Sequence, residues 1–308
     1  MDFSKIKTYS IRKRKNKVNT ALFAKPLRPG SSFRTFFDSI PNILKAKELK
    51  QIVQAIVRAK RKKKPVIFLT GAHVIKCGLS PLVIELLEKN VVSSVSLNGA
   101  GVIHDFEIAF CGQTSEDVAS ALKDGSFGMV RETADFINTA VQEGVLRGWG
   151  FGKAIGEKIR QENLKNKHLS IAYTCAKLRK PLTVHVAIGT DIIHQHPSFN
   201  GAHTGAASLR DFRILAEEVA RLGEGGVVVN IGSAVILPEV FVKALSMARN
   251  LTKGVRHFTT VNLDMNFHYR PFQNIVTRPV EGDGRGYYII GHHEIMLPLL
   301  TQAILEAL

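Results

Sequence analysis

Cysteine is scarce in this sequence, and its spacing excludes two kinds of cross-linked fold. The 308 residues include three cysteines, Cys77, Cys111 and Cys175, with no Cys-x-x-Cys pair. An odd number of well-separated cysteines argues against a disulfide framework and against a zinc ribbon. This cysteine usage is typical of a protein from a reducing compartment, and we expect a cytoplasmic location.

Long apolar runs are also missing. Segments such as 66–69 and 227–229 are far shorter than the roughly 20 apolar residues that a transmembrane helix needs. The first ten residues, MDFSKIKTYS, lack the apolar region of a secretory signal. We therefore expect no membrane association.

Acidic residues are few, with 26 against 42 lysines and arginines, so the formal net charge is +16. Residues 1–30 contribute +8 and residues 58–64 contribute +6, which leaves the rest of the chain nearly neutral. This pattern predicts a basic N-terminal arm over residues 1–35 and a single domain over 36–308. Few aromatic residues are interleaved with the charge, so we do not expect nucleic-acid binding as the main function.

Short apolar segments alternate with helical patterns from residue 43 onward. Near-continuous apolar strands that alternate with helices predict an α/β fold, with a Rossmann-like parallel sheet and helices on both faces. We predict a helix over 43–59 and a capping box at Ser208 to Asp211 that begins another. Residues 144–167 are rich in glycine and charge, and we predict a surface excursion there. The predicted strands are 66–70, 91–97, 182–189, 227–231, 258–263 and 287–290, and a terminal helix is expected to begin near Pro298.

Glycine-rich loops follow or precede several of these strands. Ligands of open α/β sheets bind at the carboxyl ends of the strands, where glycine lets the backbone approach a phosphate closely. Gly99 and Gly101 begin a Gly-x-Gly-x-x-Gly pattern, but His104 occupies the position of its third glycine. The standard dinucleotide-binding fingerprint is therefore absent.

Four segments taken in order resemble a known family. They are IFLTGAH (67–73), NGAGVIHDFE (98–107), GTD (189–191) and EGGVV (224–228), and they resemble the NAD-contacting loops of the deoxyhypusine synthase family. The resemblance covers residues 60–290. It implies a Rossmann-like fold, NAD as cofactor, a small cationic amine such as a polyamine as substrate, and a homotetramer with active sites at a dimer interface.

The resemblance also assigns site residues. It implies that the cofactor contacts Thr70, Gly71, Ala72, Asn98, Gly99, Ala100, Gly101, Asp191, Gly225 and Gly226. It implies that the substrate contacts Asp105, Glu107 and Asp283. Each assignment has a structural alternative: Asp191 and Asp283 are common turn residues, and acids near a helix N-terminus favour its dipole.

Two departures from the family exclude its standard reaction. Enzymes of the family carry an aminobutyl fragment on a lysine near the C-terminus, whereas here the corresponding segment 289–295 is IIGHHEI and the last lysine is Lys253. The family's substrate-binding histidine is missing from the segment 229–233, VNIGS. Without the covalent carrier the transferred fragment cannot be held, so we do not expect deoxyhypusine formation.

Histidines provide the remaining candidates. His292 and His293 occupy the region of the lost lysine and could act as a general base in amine oxidation, or they could form a hydrogen-bonded pair ahead of the terminal helix. His194 and His196 would share one face if their segment were a strand. A third ligand at suitable spacing is missing, so we predict no metal site.

Two hypotheses about function stay open. In the first, the chain is an NAD-dependent enzyme that dehydrogenates a cationic amine to an imine, which water or a free amine then consumes. In the second, it is a noncatalytic NAD or nucleotide binder whose basic arm recruits a partner. The acidic side chains favour the first hypothesis, and the missing lysine and histidine favour the second.

Overall fold

The computed structural model describes residues 1–252 and 254–308, and Lys253 lies outside the described residues. Its centre is a sheet of six strands, all pairing in parallel, in the order β3-β2-β1-β4-β5-β6. The strands are β1 (Val66–Thr70), β2 (Ser94–Asn98), β3 (Leu182–His185), β4 (Val227–Ile231), β5 (Thr259–Asp264) and β6 (Arg285–Ile290).

Helices surround this sheet. In the described part of the chain they are α1 (Phe33–Ser39), α2 (Leu44–Arg61), α3 (His73–Lys76), α4 (Ser80–Glu88), α5 (Gly99–Cys111), α6 (Val118–Ala121), α7 (Arg131–Leu146), α8 (Phe151–Glu162), α9 (Ile171–Leu178), α10 (Gly201–Ala220), α11 (Ile236–Thr252), α12 (Tyr269–Pro271) and α13 (His293–Glu306).

The strands are buried on both faces because their residues are almost all apolar. Phe68 and Val229 belong to a core that includes residues of α2 and α13. Ile67, Leu69 and Val228 point to the other face and belong to a core that includes residues of α10 and α11. Alternate residues of a strand face opposite sides of the sheet, so continuous apolar strands require a cover on both sides. The predicted α/β class with a parallel sheet is confirmed.

Two predicted boundaries in the middle of the chain were wrong. Residues 144–167 contain α8, whose Phe151 is fully buried, instead of a surface excursion. The helix α10 begins at Gly201, so Ser208 and Asp211 lie inside it and do not form a capping box. Ser208 instead donates a hydrogen bond to the carbonyl of Val184 at 3.0 Å, which links α10 to β3.

The terminal helix and the third strand also differ from the prediction. The helix α13 begins at His293 and includes Pro298 in its first two turns. Strand β3 ends at His185, and Gly189 adopts a φ of +99° in the turn that follows. This turn carries the chain away from the sheet and into a 3₁₀ helix at Ile192–Gln195.

The first 32 residues are almost entirely exposed and contain three short 3₁₀ turns. Two backbone hydrogen bonds connect their end to the rest of the chain, one from the Lys25 N–H to the Ser39 carbonyl and one from the Asn42 N–H to the Leu22 carbonyl. Across the described residues, no helix has the length and apolar character needed to span a bilayer.

Candidate functional site

Two polar regions lie at the carboxyl edge of the sheet, which is the edge where the strands end. Strand order reverses between β1 and β4, and ligands of open α/β sheets bind near such a switch point. On one side of it, beyond β2 and β3, is a cavity of about 230 Å³. On the other side, beyond β4 and β5, the His293 side chain lies against the backbone of Gly232.

The cavity beyond β2 and β3 is acidic. Three carboxylates, those of Glu107, Glu116 and Asp191, line it together with His104 and one lysine, Lys76. We call these five residues and the apolar side chains between them the acidic pocket. Acids outnumber lysines and arginines here although the whole chain carries a formal net charge of +16, so the pocket is suited to a cation.

Asp191 is the most deeply placed of these carboxylates. It follows β3 and is 8% exposed, and its carboxylate lies against the start of α5, where it accepts a hydrogen bond from the N–H of Ala100. Its Oδ2 atom is buried and has no hydrogen-bond partner. Burial raises the pKa of this carboxyl to about 6, with the Ala100 bond opposing the shift.

His194 accompanies Asp191. Its Nδ1 accepts hydrogen bonds from the backbone N–H groups of Gly189 (3.0 Å) and Asp191 (3.3 Å), which places the proton of the neutral ring on Nε2. The Nε2 atom lies 3.9 Å from Asp191 Oδ2. Burial lowers the pKa of His194, which favours the neutral ring.

Glu107 is held by hydroxyl groups. It accepts hydrogen bonds from Thr114 and, at 3.1 Å, from Thr133. His104 Nδ1 lies 3.7 Å from its Oε2 and 2.6 Å from the Thr114 hydroxyl oxygen. Burial opposes ionisation of Glu107, but its bonds with His104, Thr114 and Thr133 outweigh that cost and lower its pKa. The acidic pocket therefore contains a carboxylate that stays charged at neutral pH.

The loop of Asn98 to Gly101 serves the protein's own packing. The Asn98 side chain accepts the N–H of Gly101 at 2.9 Å and so caps α5. A Cβ added at Gly99 would collide with Asp191 Oδ2. Because two side chains of the chain already occupy the start of α5, this N-terminus is not an open cradle for a pyrophosphate.

The replacement Gly99→Ala tests this close approach. The added Cβ must displace the Asp191 carboxylate, and we expect a loss of about 1–3 kcal/mol in the free energy of unfolding, measured by urea denaturation. Gly205→Ala is the matched control because it lies in α10 with open space around its Cα, and there alanine is expected to stabilise by about 0.5–1 kcal/mol. Equal effects of the two replacements would contradict the contact.

The loop after β1 also packs against the protein itself. The N–H of Gly71 donates to the carbonyl of Ile231 at 2.9 Å, and a Cβ at Gly71 would collide with the carbonyl of Gly232. Ala72, predicted with it to contact the cofactor, begins α3. The hydroxyl of Thr70 is buried and has no hydrogen-bond partner. It is therefore the one side chain of this loop whose missing hydrogen bond a ligand could supply.

The structure separates the two candidate histidines. His293 is buried, and its Nε2 atom would lie 2.7 Å from a Cβ at Gly232. His292 is exposed and lies 3.8 Å from Glu294. Burial lowers the pKa of His293, His73 acts in the same direction, and Asp264 opposes them. His293 has an unpartnered Nδ1 atom and faces the switch point, and we call His73, Gly232, Asp264 and His293 the histidine cluster.

Asp105 has a structural role. Its carboxylate accepts hydrogen bonds from the Ser170 hydroxyl (2.5 Å) and from the N–H groups of Ile171 (2.7 Å) and Ala172 (3.1 Å). It is 1% exposed, and burial raises its pKa to about 6. Both oxygens are engaged at the start of α9, so Asp105 does not reach a substrate, and we correct the sequence-based assignment accordingly.

Three further assigned residues lie at the wrong edge of the sheet. Gly225 and Gly226 precede β4, and Asp283 precedes β6. Because the sheet is parallel, residues that precede a strand lie at the amino edge, opposite to the acidic pocket. Gly225 and Asp283 line a separate cavity there, so we remove these three residues from the candidate site.

His194 and His196 do not form a metal pair. Their segment is a 3₁₀ helix instead of a strand, and His196 Nε2 lies 2.9 Å from the carbonyl oxygen of Gly128. In residues 1–252 and 254–308, no group of three metal-ligating side chains is found.

The sequence analysis missed three residues that shape this edge. His104 and Glu116 line the acidic pocket, and Asp264 acts on His293 at the end of β5. His104 could be noticed in the sequence because it replaces the third glycine of the fingerprint. No local pattern indicates Glu116 or Asp264.

Comparisons with known proteins identify the fold. No protein-family model and no curated protein sequence matches the chain. Among solved structures, a conserved candidate LOR/SDH protein from Methanococcus maripaludis S2 matches with 15% identity and a TM-score of 0.53, over 85% of this chain and 70% of that one. The ternary complex of AgrE with ornithine and NAD+ matches with 16% identity and a TM-score of 0.53, over 85% of this chain. The chain spans only about a third of the length of AgrE, with 33% covered.

A third structure connects the fold to the resemblance seen in the loops. A candidate deoxyhypusine synthase from Entamoeba histolytica matches over 91% of this chain and 96% of that one, with 9% identity and a TM-score of 0.54. At such low identities the likeness shows the fold alone. The chain has the Rossmann-like fold of these deoxyhypusine synthase, LOR/SDH and AgrE structures.

Proposed function

We propose that the acidic pocket binds a small cationic amine, and that the protein oxidises this amine to an imine with NAD as the hydride acceptor. One observation carries the proposal: Asp191 presents a buried, unpartnered carboxylate oxygen in a pocket where acids outnumber lysines and arginines. An unpaired buried charge is costly, and an ammonium group of a ligand would compensate it.

The size and lining of the pocket support a small amine as the ligand. A volume of about 230 Å³ is below the range of roughly 300–1,000 Å³ that drug-sized ligands occupy, so a whole dinucleotide does not fit. Ile103, Phe127 and Val130 line the cavity between the carboxylates. These side chains suit the methylene groups of a diamine or of an amino acid such as ornithine, which AgrE binds.

The residues of the pocket have defined tasks in the proposed reaction. Glu107, which stays ionised, attracts the ammonium group. Asp191, whose pKa burial raises to about 6, is a stronger base than an ordinary carboxylate and is the group that takes a proton from the ammonium as the reaction proceeds. NAD+, when bound, supplies the hydride acceptor for the carbon next to the neutral nitrogen, so the amine loses two electrons as an imine forms. Water then adds to the imine and releases ammonia and a carbonyl compound, or a free amine takes the place of water.

The surroundings of the histidine cluster are the part of the edge where we place the cofactor. Thr70 Oγ1 and His293 Nδ1 are buried atoms without partners at this edge, and a bound cofactor would satisfy them. The start of α5 does not fit, because Asn98 and Asp191 fill it. This proposal moves the cofactor contacts away from Gly99 and Gly101 and toward the switch point.

Calorimetry and NADH absorbance test the proposal on the purified protein. We expect putrescine, spermidine or ornithine to bind, the neutral analogue 1,4-butanediol not to bind, and NADH to form when NAD+ and the amine are present together. The replacement Asp191→Asn is expected to weaken amine binding about 10- to 100-fold, as loss of a buried charge-assisted hydrogen bond does. Asp135→Asn, on an exposed residue of α7, is the control and is expected to change nothing.

Two outcomes would contradict the proposal in different ways. Amine binding that is equal in wild type and Asp191→Asn would remove the acidic pocket as the site. Binding of NAD+ and amine without NADH formation would favour the noncatalytic alternative, in which the exposed basic segment of residues 1–32 recruits a partner. The tetramer and the cytoplasmic location stay predictions, and light scattering checks the first of them.

A further inference from the structure

A second cavity lies at the amino edge of the sheet, on the opposite side of the fold from the acidic pocket. It has a volume of about 380 Å³. The end of α2 contributes Arg58 and Lys62, the loop before β4 contributes Gly225, and the start of β6 contributes Arg285. Sequence-distant elements therefore converge on one cavity that the proposed amine oxidation does not use.

The charges in this cavity are unbalanced. Arg58, Lys62 and Arg285 line it, and within residues 1–252 and 254–308 their side chains make neither an ion pair nor a hydrogen bond. The only carboxylate in the lining, Asp283, lies 3.8 Å from the Nε atom of Arg256, outside the lining. His257 Nδ1 donates a hydrogen bond to the Asp283 carbonyl oxygen at 3.0 Å. Three cations and one carboxylate thus line the cavity, and positive charge is in excess.

The helix dipole accounts for only part of this arrangement. Arg58 and Lys62 lie at the C-terminal end of α2, where cations stabilise a helix. Arg285 begins a strand, and no dipole favours a cation there. Like charges that converge on one cavity repel one another, and an anion that enters relieves this repulsion.

We propose that this cavity binds the phosphate groups of a small phosphorylated molecule. Two arginine guanidinium groups can bind phosphate oxygens in a bidentate manner, and the lysine adds a point charge. Gly225, with a φ of +116°, keeps the wall beside the Lys62 stem free of a side chain. The volume of about 380 Å³ accommodates a mono- or diphosphate ester. We refer to it as the phosphate pocket.

Calorimetry with inorganic pyrophosphate, ADP and adenosine tests the proposal on the full-length protein. We expect pyrophosphate and ADP to bind and adenosine, which lacks phosphate, not to bind. The replacement Arg285→Gln is expected to weaken pyrophosphate binding at least about tenfold, because a hydrogen bond to a charged group contributes that much. Arg285→Lys is expected to retain part of the affinity.

Two controls make the test specific. Arg213→Gln removes the same charge from an exposed position on α10 and is expected to leave pyrophosphate binding unchanged. Asp191→Asn alters the acidic pocket and is expected to leave it unchanged as well, so failure of the proposed function and failure of this proposal are distinguishable. Circular dichroism verifies that each variant is folded.

Three results would overturn the proposal. They are the absence of pyrophosphate binding, an equal loss in Arg285→Gln and Arg213→Gln, and binding of an oligonucleotide without terminal phosphates as tightly as one that carries them. The last result would indicate a surface that follows a polyanionic backbone instead of a pocket for terminal phosphate.

Discussion

Lowering the pH from 7 to 5 is expected to weaken amine binding to the acidic pocket about tenfold. Burial raises the pKa of Asp191 to about 6, so its ionised fraction falls about tenfold over this interval. The amine itself stays protonated throughout, because the pKa of an alkyl ammonium is near that of lysine, about 10.4. Calorimetric titration of putrescine at several pH values measures the effect.

Other groups that face Asp191 set the limits of this prediction. His194 Nε2 lies 3.9 Å from Asp191 Oδ2, and His104, Glu107, Glu116 and Lys76 line the same pocket. The replacement Asp191→Asn removes the carboxylate and is expected to flatten the titration. An unchanged pH profile in this variant would show that Asp191 does not govern the pH dependence of binding.

The raised pKa of Asp191 also predicts how the stability of Asp191→Asn compares with that of wild type. Folding raises the pKa of Asp191 above the value of about 3.9 in an unfolded chain, so the native state binds more protons between these two values. Its contribution to stability is therefore fully present below about pH 4 and is lost as the pH rises through 6. We expect Asp191→Asn to be more stable than wild type at pH 8, because the amide avoids the cost of an unpaired buried charge.

The architecture could be predicted from the sequence because it depends on local patterns. Apolar strands such as 66–70 and 227–231 are continuous, and turn residues separate them from the helices. The end of β3 could not be predicted, because residues 186–189 continue the apolar pattern and only the positive φ of Gly189 turns the chain away. The start of α13 at His293 was hidden by Pro298, because proline in a sequence usually marks the first residue of a helix, whereas Pro298 lies inside α13.

The roles of the glycines could not be predicted, because glycine serves close packing and ligand approach equally well. Gly71 and Gly99 fit a phosphate loop in sequence. In the structure a carbonyl and a carboxylate of the chain itself fill the space beside them. The identity of such a neighbour depends on residues more than 90 positions away, such as Asp191 for Gly99, and no local pattern encodes it.

Asp105 and Asp191 illustrate the same limit for carboxylates. Both follow glycine-containing loops, and both have a pKa raised to about 6 by burial. The oxygens of Asp105 are occupied by Ser170, Ile171 and Ala172, whereas Oδ2 of Asp191 has no partner. Only the tertiary arrangement shows that Asp105 holds the start of α9, whereas Asp191 is a candidate ligand-binding group.

Truncation of another buried carboxylate, Asp211→Ala, is expected to destabilise the protein by about 3–5 kcal/mol. Asp211 Oδ2 accepts the N–H groups of Gly152 and Val184, each at 2.8 Å, and thereby fixes the start of α8 and strand β3 to α10. Its removal leaves two buried N–H donors without partners, at a cost of about 1–3 kcal/mol each. Urea denaturation measures the change, and Asp135→Ala at an exposed position of α7 is expected to cost less than about 0.5 kcal/mol.

The replacement Asp211→Asn distinguishes the hydrogen bonds from the charge. Burial raises the pKa of Asp211 to about 7, although its bonds to backbone N–H groups oppose the shift, so the carboxyl is neutral in about half of the molecules at pH 7. An amide keeps an oxygen acceptor for Gly152 and Val184 and avoids burial of a charge. We therefore expect Asn to cost less than about 1 kcal/mol at pH 7 and to become stabilising relative to Asp at higher pH. A loss as large as that of Ala would show that the ionised carboxylate itself, and not its acceptor geometry, holds α8 against the sheet.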